Sequence, residues 1–307
     1  MSTLAKRRIV DPVLTNIARG YTNASLVGTE LFPIVEVDKE GGKIPQFTKE
    51  AFKIYNTERA IRSRSNRINL ELHTSIDFLL NEHDLEYPMD YREIAENATP
   101  LKIHATNVVS DGIALRLEKL IADLCQNLSS FPTGNKVTLG AGSKFDDDTS
   151  NPFLVFDTAL EAVRSKIGKR PNVCIIGAQS FKALKNHAKV LERIKYTERA
   201  VITVEILRQL FGFEKMLIGD AVYSSDTGTF TDMWNDNAIL AYIPSASNQV
   251  SRSYYEPSFA YTLRKKGMPI IDTYEENSKV EIVRSTDIFI PKIVGSEAGY
   301  LINDTNT

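Results

Sequence analysis

The sequence predicts an α+β fold built around one long helix, and three patterns along its 307 residues indicate this class. A stretch with helical periodicity lies before the middle of the chain, alternating strands and helices follow it, and a run of strands closes the chain. The 42% hydrophobic fraction is typical of a globular protein that buries a core. The length corresponds to one large domain or two closely connected ones.

The long helix is predicted between about residues 101 and 128. Its apolar residues recur every three or four positions, which places them on one helical face: Val109, Ile113, Leu117, Leu120, Leu124 and Leu128. At 1.5 Å per residue the helix spans on the order of 40 Å. We expect it to act as a rigid beam, with Gly112 as a point of possible bending.

The alternating region runs from 153 to 245 and predicts an α/β lobe. Thr158 and Glu161 have the spacing of a helix capping box. The apolar run 173–176 indicates a buried strand, and helices are predicted over 179–195 and 203–211.

Strand character dominates the rest of the ordered pattern. Residues 68–80 alternate between apolar and polar, and a short helix is predicted over 87–98, opening after Pro88. Strands are predicted again between 254 and 302. The chain therefore re-enters an α+β unit at its end.

Two segments lack the periodicity of packed elements. Residues 1–32 are interpreted as an arm. Residues 44–70 are long and polar, which predicts an extended β-hairpin covering little core, and loops of this length are commonly interface-forming. We expect the stretch 33–70 and the arm before it to be buried by sister molecules rather than by their own polypeptide.

The stretch 59–67 of this loop carries four arginines and no acid: Arg59, Arg62, Arg64 and Arg67. One interpretation is phosphate binding. The favoured one is a solvated loop, or a loop that pairs with acids on a neighbouring subunit, because only Tyr55 lies close enough to stack on a base. A net charge of −2 also disfavours tight duplex binding as the main activity.

Catalytic and metal-binding motifs are weak. Cys125 and Cys174 are interpreted as buried reduced thiols. The four histidines are far apart, and His187 is expected at the surface or partly packed. No secretory signal or apolar stretch of about 18–20 residues is visible, which predicts a protein kept in a reducing cytoplasm, or in a particle assembled there, without a membrane partner.

Two positions allow a binding function beside an ordinary structural role. The acidic run 146–148 allows a metal loop, although its spacing is wrong for an EF-hand. The turn at Gly177, between a strand and a helix, allows anion binding, but an ordinary βα turn is favoured. Since no P-loop or GxSxG motif occurs, no catalytic residue, cofactor or metal is predicted.

A set of motifs follows in a specific order along nearly the whole chain. The central motifs are 170–177 (RPNVCIIG), 181–187 (FKALKNH), 191–197 (LERIKYT), 202–207 (ITVEIL), 211–215 (FGFEK), 219–223 (GDAVY), Trp234 and 238–242 (AILAY). The stretch 32–37 (FPIVEV) and the hairpin 43–67 precede them, and 298–302 (AGYLI) follows. The ordered set resembles the major capsid proteins of tailed bacteriophages, in which the upstream stretch corresponds to the entry to an extended loop and the last motif to the C-terminal close.

The resemblance implies the Hong Kong 97-type capsid fold. Its parts are an N-terminal arm, an extended loop, a peripheral domain with a long spine helix at about 101–128, and an α/β axial domain. The implied boundaries are 1–32 for the arm, 33–70 for the loop, 71–152 for the peripheral domain, 153–265 for the axial domain and 266–307 for the return to the peripheral domain.

The implied function is structural: copies form pentamers and hexamers of an icosahedral head around double-stranded DNA, and the head expands as its domains shift. Expected partners are other copies, a separate scaffolding protein, a portal and a decoration protein, with DNA only in proximity. The alternatives are an encapsulin-like compartment shell and a soluble α/β enzyme. Candidate inter-subunit contacts are Lys43, Lys49, Arg59, Arg62, Arg64 and Arg67.

Overall fold

The computed structural model describes residues 9–10, 26–45, 54, 56–67, 75–96, 101–195, 202–224, 229–244, 256–277 and 279–306. The helices there are α1 Gly28–Leu31, α2 Tyr91–Glu96, α3 Leu101–Gln126, α4 Pro152–Ile167, α5 Ala178–Asn186, α6 Ala188–Ile194 and α7 Val204–Phe211. The strands are β1 Ile9–Val10, β2 Ile34–Val37, β3 Gly41–Pro45, β4 Ser75–Leu79, β5 Asn81–Asp90, β6 Lys136–Thr138, β7 Val173–Gly177, β8 Lys215–Gly219, β9 Val222–Ser224, β10 Phe230–Asp232, β11 Ala238–Ala241, β12 Ala260–Lys265, β13 Ile270–Glu276, β14 Val280–Ile293 and β15 Gly299–Asn303.

One sheet is organised around the long strand β14. It has the order β1-β13-β14-β12-β2, and β5 pairs with β14 as well. The helix α3 packs on β5 and β14, where Met89, Val109 and Val283 are buried together. The predicted long helix is confirmed: its apolar face is buried against this sheet at Val109, and further along at Ile113 and Leu117 in a core that includes strands of the second sheet.

The second sheet belongs to the α/β lobe and has the order β6-β15-β11-β7-β8. Helices α4 to α7 bury their apolar faces against it in one core cluster. The closing strand β15 lies in this sheet, between β11 and β6, although the strands just before it lie in the first sheet. The chain end therefore connects the two sheets.

The helix predicted over 87–98 is wrong for residues 87–90, and its last two residues lie outside the described ranges. Pro88 lies in β5, which pairs with β14 from Asn81 opposite Phe289 to Asp90 opposite Val280. Ten paired residues outweigh a local start signal. The helix begins at Tyr91, where Asp90 accepts a hydrogen bond from the Arg92 amide.

The lobe also corrects two local predictions. The capping box at Thr158 is wrong: α4 already begins at Pro152, and the Thr158 hydroxyl donates to the Leu154 carbonyl inside it. The helix predicted over 179–195 is divided at His187, whose Nδ1 accepts from the Lys189 amide and caps α6. His187 is buried, not at the surface, because its Nε2 contacts the Ser150 hydroxyl.

Candidate assembly surface

The extended loop leaves the body on a two-stranded stem. Strands β3 and β4 pair antiparallel, from Gly41 opposite Leu79 to Pro45 opposite Ser75. The root of the stem is fixed by the buried Ile44 and by an ion pair between Lys265 and Glu40. The described part of the loop beyond the stem therefore starts from a rigid base.

We call residues 56–67 the loop tip. Every one of them is exposed, and the tip is held by contacts within itself. The Asn66 side-chain amide donates to the carbonyls of Asn56 (2.6 Å) and Glu58 (3.0 Å), and the Arg59 guanidinium donates to the Ser63 carbonyl (2.6 Å). The tip is thus a turn with its own local order that its own chain leaves uncovered.

The structure gathers four of the six candidate contact residues on this tip: Arg59, Arg62, Arg64 and Arg67. Lys43 lies in the stem, 72% exposed and 3.8 Å from the equally exposed Asp77, a geometry worth about 0–1 kcal/mol. Lys49 falls outside the described residues. A role for all six at subunit contacts stays a prediction.

Two large apolar side chains accompany the arginines. Ile54 is 95% exposed and Ile61 is 93% exposed. Burying a side chain of this size is worth about 1.5–3 kcal/mol, so full exposure of both is costly in a free chain. A second molecule that covered the loop would recover this free energy.

The expectation that the whole stretch before the loop is left for sister molecules is wrong for residues 26–37. Leu31 and Phe32 are fully buried, and Val35 and Val37 face the core from β2. The parallel pairing of β2 with β12 places this segment at the edge of the first sheet. The chain therefore anchors the loop to its own core before releasing it.

The anchor depends on Glu118, a residue that the sequence analysis missed. Its carboxylate accepts from the amides of Val27 (3.1 Å) and Gly28 (2.8 Å) at the start of α1, and from the Trp234 indole (2.8 Å). A Cβ at position 28 would lie 2.7 Å from the carboxylate, which explains the glycine. The sequence does place this glutamate next to Leu117, on the apolar face of α3, and a charged residue there could have indicated a buried partner.

Burial raises the pKa of Glu118, and the hydrogen bonds from Gly28, Trp234 and Val27 oppose that rise. One carboxylate thus joins α1, the long helix and the loop between β10 and β11. The same loop is held by Gln126, whose Oε1 accepts from the side-chain amides of Asn235 and Asn237.

The positions considered for chemistry have structural explanations. At Gly177 a Cβ would lie 1.8 Å from the Asn235 carbonyl oxygen, so glycine is required by close backbone packing. In the acidic run 146–148, Asp147 accepts from the amide and hydroxyl of Thr149. Among the described residues no group of three His, Cys, Asp or Glu is placed to hold a metal ion.

Cys125 and Cys174 are both free and buried, as predicted. Burial raises the pKa of each thiol, so both stay protonated and unreactive near neutral pH. Within the described ranges, no helix has the length and apolar character needed to cross a membrane.

Comparison with known proteins agrees with this picture. A family model described as phage major capsid protein E matches residues 131–288. A major capsid protein of Burkholderia phage BcepMu is 52% identical over 306 residues, which is 100% of both chains.

Two solved structures extend the likeness to the fold. A phage-related protein from Bordetella bronchiseptica RB50 is 33% identical, with a TM-score of 0.83 over 97% of this chain and 98% of that one. The mature capsid of bacteriophage PhiM1 is 12% identical, with a TM-score of 0.56 over 94% of this chain and 89% of that one, and there the likeness concerns the fold alone.

Proposed function

This chain belongs to the phage major capsid protein E family, and we propose that its copies assemble as pentamers and hexamers into the icosahedral head around phage double-stranded DNA. The family makes it a structural protein, so the alternative of a soluble enzyme at the Gly177 turn is wrong. The predicted α+β capsid fold of the Hong Kong 97 type is confirmed. Identity with a phage capsid protein along the whole chain favours a head over an enzyme-storing compartment.

The observation that carries the assembly mechanism is the uncovered loop tip. A free subunit exposes four arginines and two isoleucines on a loop with a rigid stem. Each contact made by such a loop is modest. A closed shell makes many of them at once, and this multivalency makes assembly cooperative.

The proposed division of the chain starts from the predicted boundaries: 153–265 for the axial domain that meets its copies at capsomer centres, and 71–152 with 266–307 for the peripheral domain. Three strands cross these boundaries, because β6 and β15 lie in the sheet of the α/β lobe and β12 lies in the first sheet. The loop within 33–70 and the arm within 1–32 lie over neighbouring subunits. Strand β15, which lies in the α/β sheet, would couple axial and peripheral movements when the head expands.

Further partners follow from the same proposal. The expected partners besides other copies are a separate scaffolding protein, a portal and a decoration protein. With a net charge of −2 the wall neither grips nor strongly repels DNA, so the genome is held by enclosure. Assembly takes place in the host cytoplasm, and the mature protein resides in the virion.

Negative-stain electron microscopy of the purified protein, alone and with its scaffolding protein, tests the proposal. We expect closed particles of uniform diameter. A matched variant with residues 56–67 replaced by a short Gly/Ser linker should stay as free subunits or small oligomers. A wild-type chain that stays monomeric under both conditions overturns the proposal.

A further inference from the structure

We propose that the loop tip of one copy docks on the outer face of β5 in a second copy, where Glu82, Asp84 and Glu86 receive its arginines. This inference rests on the proposed function and names the surface that the loop recognises. The occupant is residues 56–67 of a neighbouring chain.

The outer face of β5 follows from strand geometry. Successive side chains on a strand point to opposite faces of the sheet. Met89 lies in the core beside α3, and a Cβ at Gly112 of α3 would lie 2.5 Å from Leu85, so the odd-numbered residues face the long helix. The even-numbered residues therefore face away from it, and all three acids are exposed.

The charge of this face is not balanced within the chain. Strand β5 holds four acids and no lysine or arginine. Its basic neighbour on the same face is Arg284, which lies opposite Glu86 in the register. Yet Arg284 is held by Asp272, with Nε–Oδ1 at 3.1 Å and Nη2–Oδ2 at 2.5 Å, and it stands 3.7 Å from Glu86.

A second observation points to a missing partner at the same place. Thr286 lies directly opposite Asp84 in the register, so both side chains share this face. Thr286 is 6% exposed, and its hydroxyl has no hydrogen-bond partner among the described residues. A buried hydroxyl is normally paired, so this part of the face lacks a partner within the described residues of the free subunit.

The loop tip matches this face in charge. It carries four arginines against one acid, Glu58, and none of the four forms an ion pair within the described part of its own chain. Guanidinium groups pair with carboxylates through two parallel hydrogen bonds. Opposed charges on two exposed segments of identical chains give a contact that repeats around a closed ring without needing a second kind of molecule.

Disulfide trapping tests the contact directly. Shells are assembled from an equal mixture of Arg64→Cys and Asp84→Cys chains, oxidised gently and run on a non-reducing gel. We expect a covalent dimer containing one chain of each variant, while Cys125 and Cys174 stay silent because they are buried. Arg62→Cys replaces Arg64→Cys in a parallel mixture.

The matched control pairs Arg64→Cys with Asp157→Cys, an equally exposed acid on α4 of the α/β lobe. Shells of normal size that link no better through Asp84 than through Asp157 overturn the docking site and leave the proposed function standing. If the wild-type chain forms no shell, the proposed function itself is wrong.

A charge exchange supplies a second readout. Arg62→Glu/Arg64→Glu and Glu82→Arg/Asp84→Arg should each raise the concentration needed for half-assembly about tenfold. The chain that carries all four changes should recover most of that loss. If the fourfold variant assembles no better than the two double variants, or if all three assemble like wild type, the docking site is wrong.

Discussion

Residues 26–37 and the loop tip lie close together in the sequence, and both precede the long helix, yet their surroundings are opposite. The first segment is anchored to the core: Phe32 packs edge-on against Phe259, and the Glu118 carboxylate accepts a hydrogen bond from the Gly28 amide at the start of α1. The second has every residue exposed, and its hydrogen bonds to other described residues stay within the tip. Residues about 90 to 230 positions away in the sequence hold the anchored segment in place, whereas no described residue outside the tip forms a hydrogen bond with it.

The largest expected effect concerns the anchored segment, residues 26–37. Phe32→Ala should lower the free energy of unfolding by about 3–5 kcal/mol, because it leaves a cavity among fully buried rings. Urea denaturation below the assembly concentration measures it. Ile61→Ala in the exposed tip is the control and should leave stability unchanged.

The next effect concerns the carboxylate that caps α1. Glu118→Ala removes the acceptor for three buried donors and should cost about 2–3 kcal/mol of stability. The exposed Glu161→Ala, on α4, is the matched control. Loss of the same amount in both variants would contradict the anchor.

A smaller effect follows from the raised pKa of Glu118. Between the ordinary value of 4.5 and the raised native value, the native state binds more protons than the unfolded state. Stability from this group is therefore complete below 4.5 and is lost as the pH rises through the native pKa. Glu118→Gln should remove that loss.

The measurement is the difference in unfolding free energy between wild type and Glu118→Gln as a function of pH. We expect the variant to gain on wild type as the pH rises from 4 towards neutrality, whatever the constant offset between the two proteins. A difference that stays constant would show that burial does not perturb this carboxyl group.

The smallest effect concerns the tip itself. Arg62→Ser and Arg64→Ser should each change the unfolding free energy of the free subunit by less than about 0.5 kcal/mol, because neither side chain is covered. Thermal melting of the unassembled chain checks this. A larger loss would mean that the tip packs on its own body, which would break the comparison.

The sequence was informative where one residue pattern determines one element. The stripe that includes Val109, Ile113 and Leu117 predicted α3, because a helix of that length repeats its signal many times. The apolar run 173–176 predicted β7 for a different reason: a strand that is buried on both faces is apolar throughout and shows no alternation with polar residues.

Local signals failed where a distant partner decided the outcome. Pro88 resembled a helix start, but the ten-residue pairing of β5 with β14 made it part of a strand. Glu118 drew no prediction, because its partners, Trp234 and the start of α1, are brought against it only by the fold. The anchoring of 26–37 was missed because its partners, α3 and β12, lie far away along the chain.

The sequence predicted the arginine-rich loop tip as a contact segment, but it did not predict the acidic face of β5 on which we propose that the tip docks. Four arginines in nine residues identified a contact segment, whereas the acids of β5 carry no motif and acquire a common face only through the pairing of β5 with β14. The acids of β5 form one surface because the pairing of β5 with β14 makes their side chains point away from the long helix.

Backbone hydrogen exchange of residues 54–67, measured in free subunits and in assembled shells, shows whether a second copy covers the tip. We expect fast exchange in the free chain and strong protection after assembly, because another copy then buries these amides. Equal exchange in the two states would mean that the tip stays uncovered in the shell.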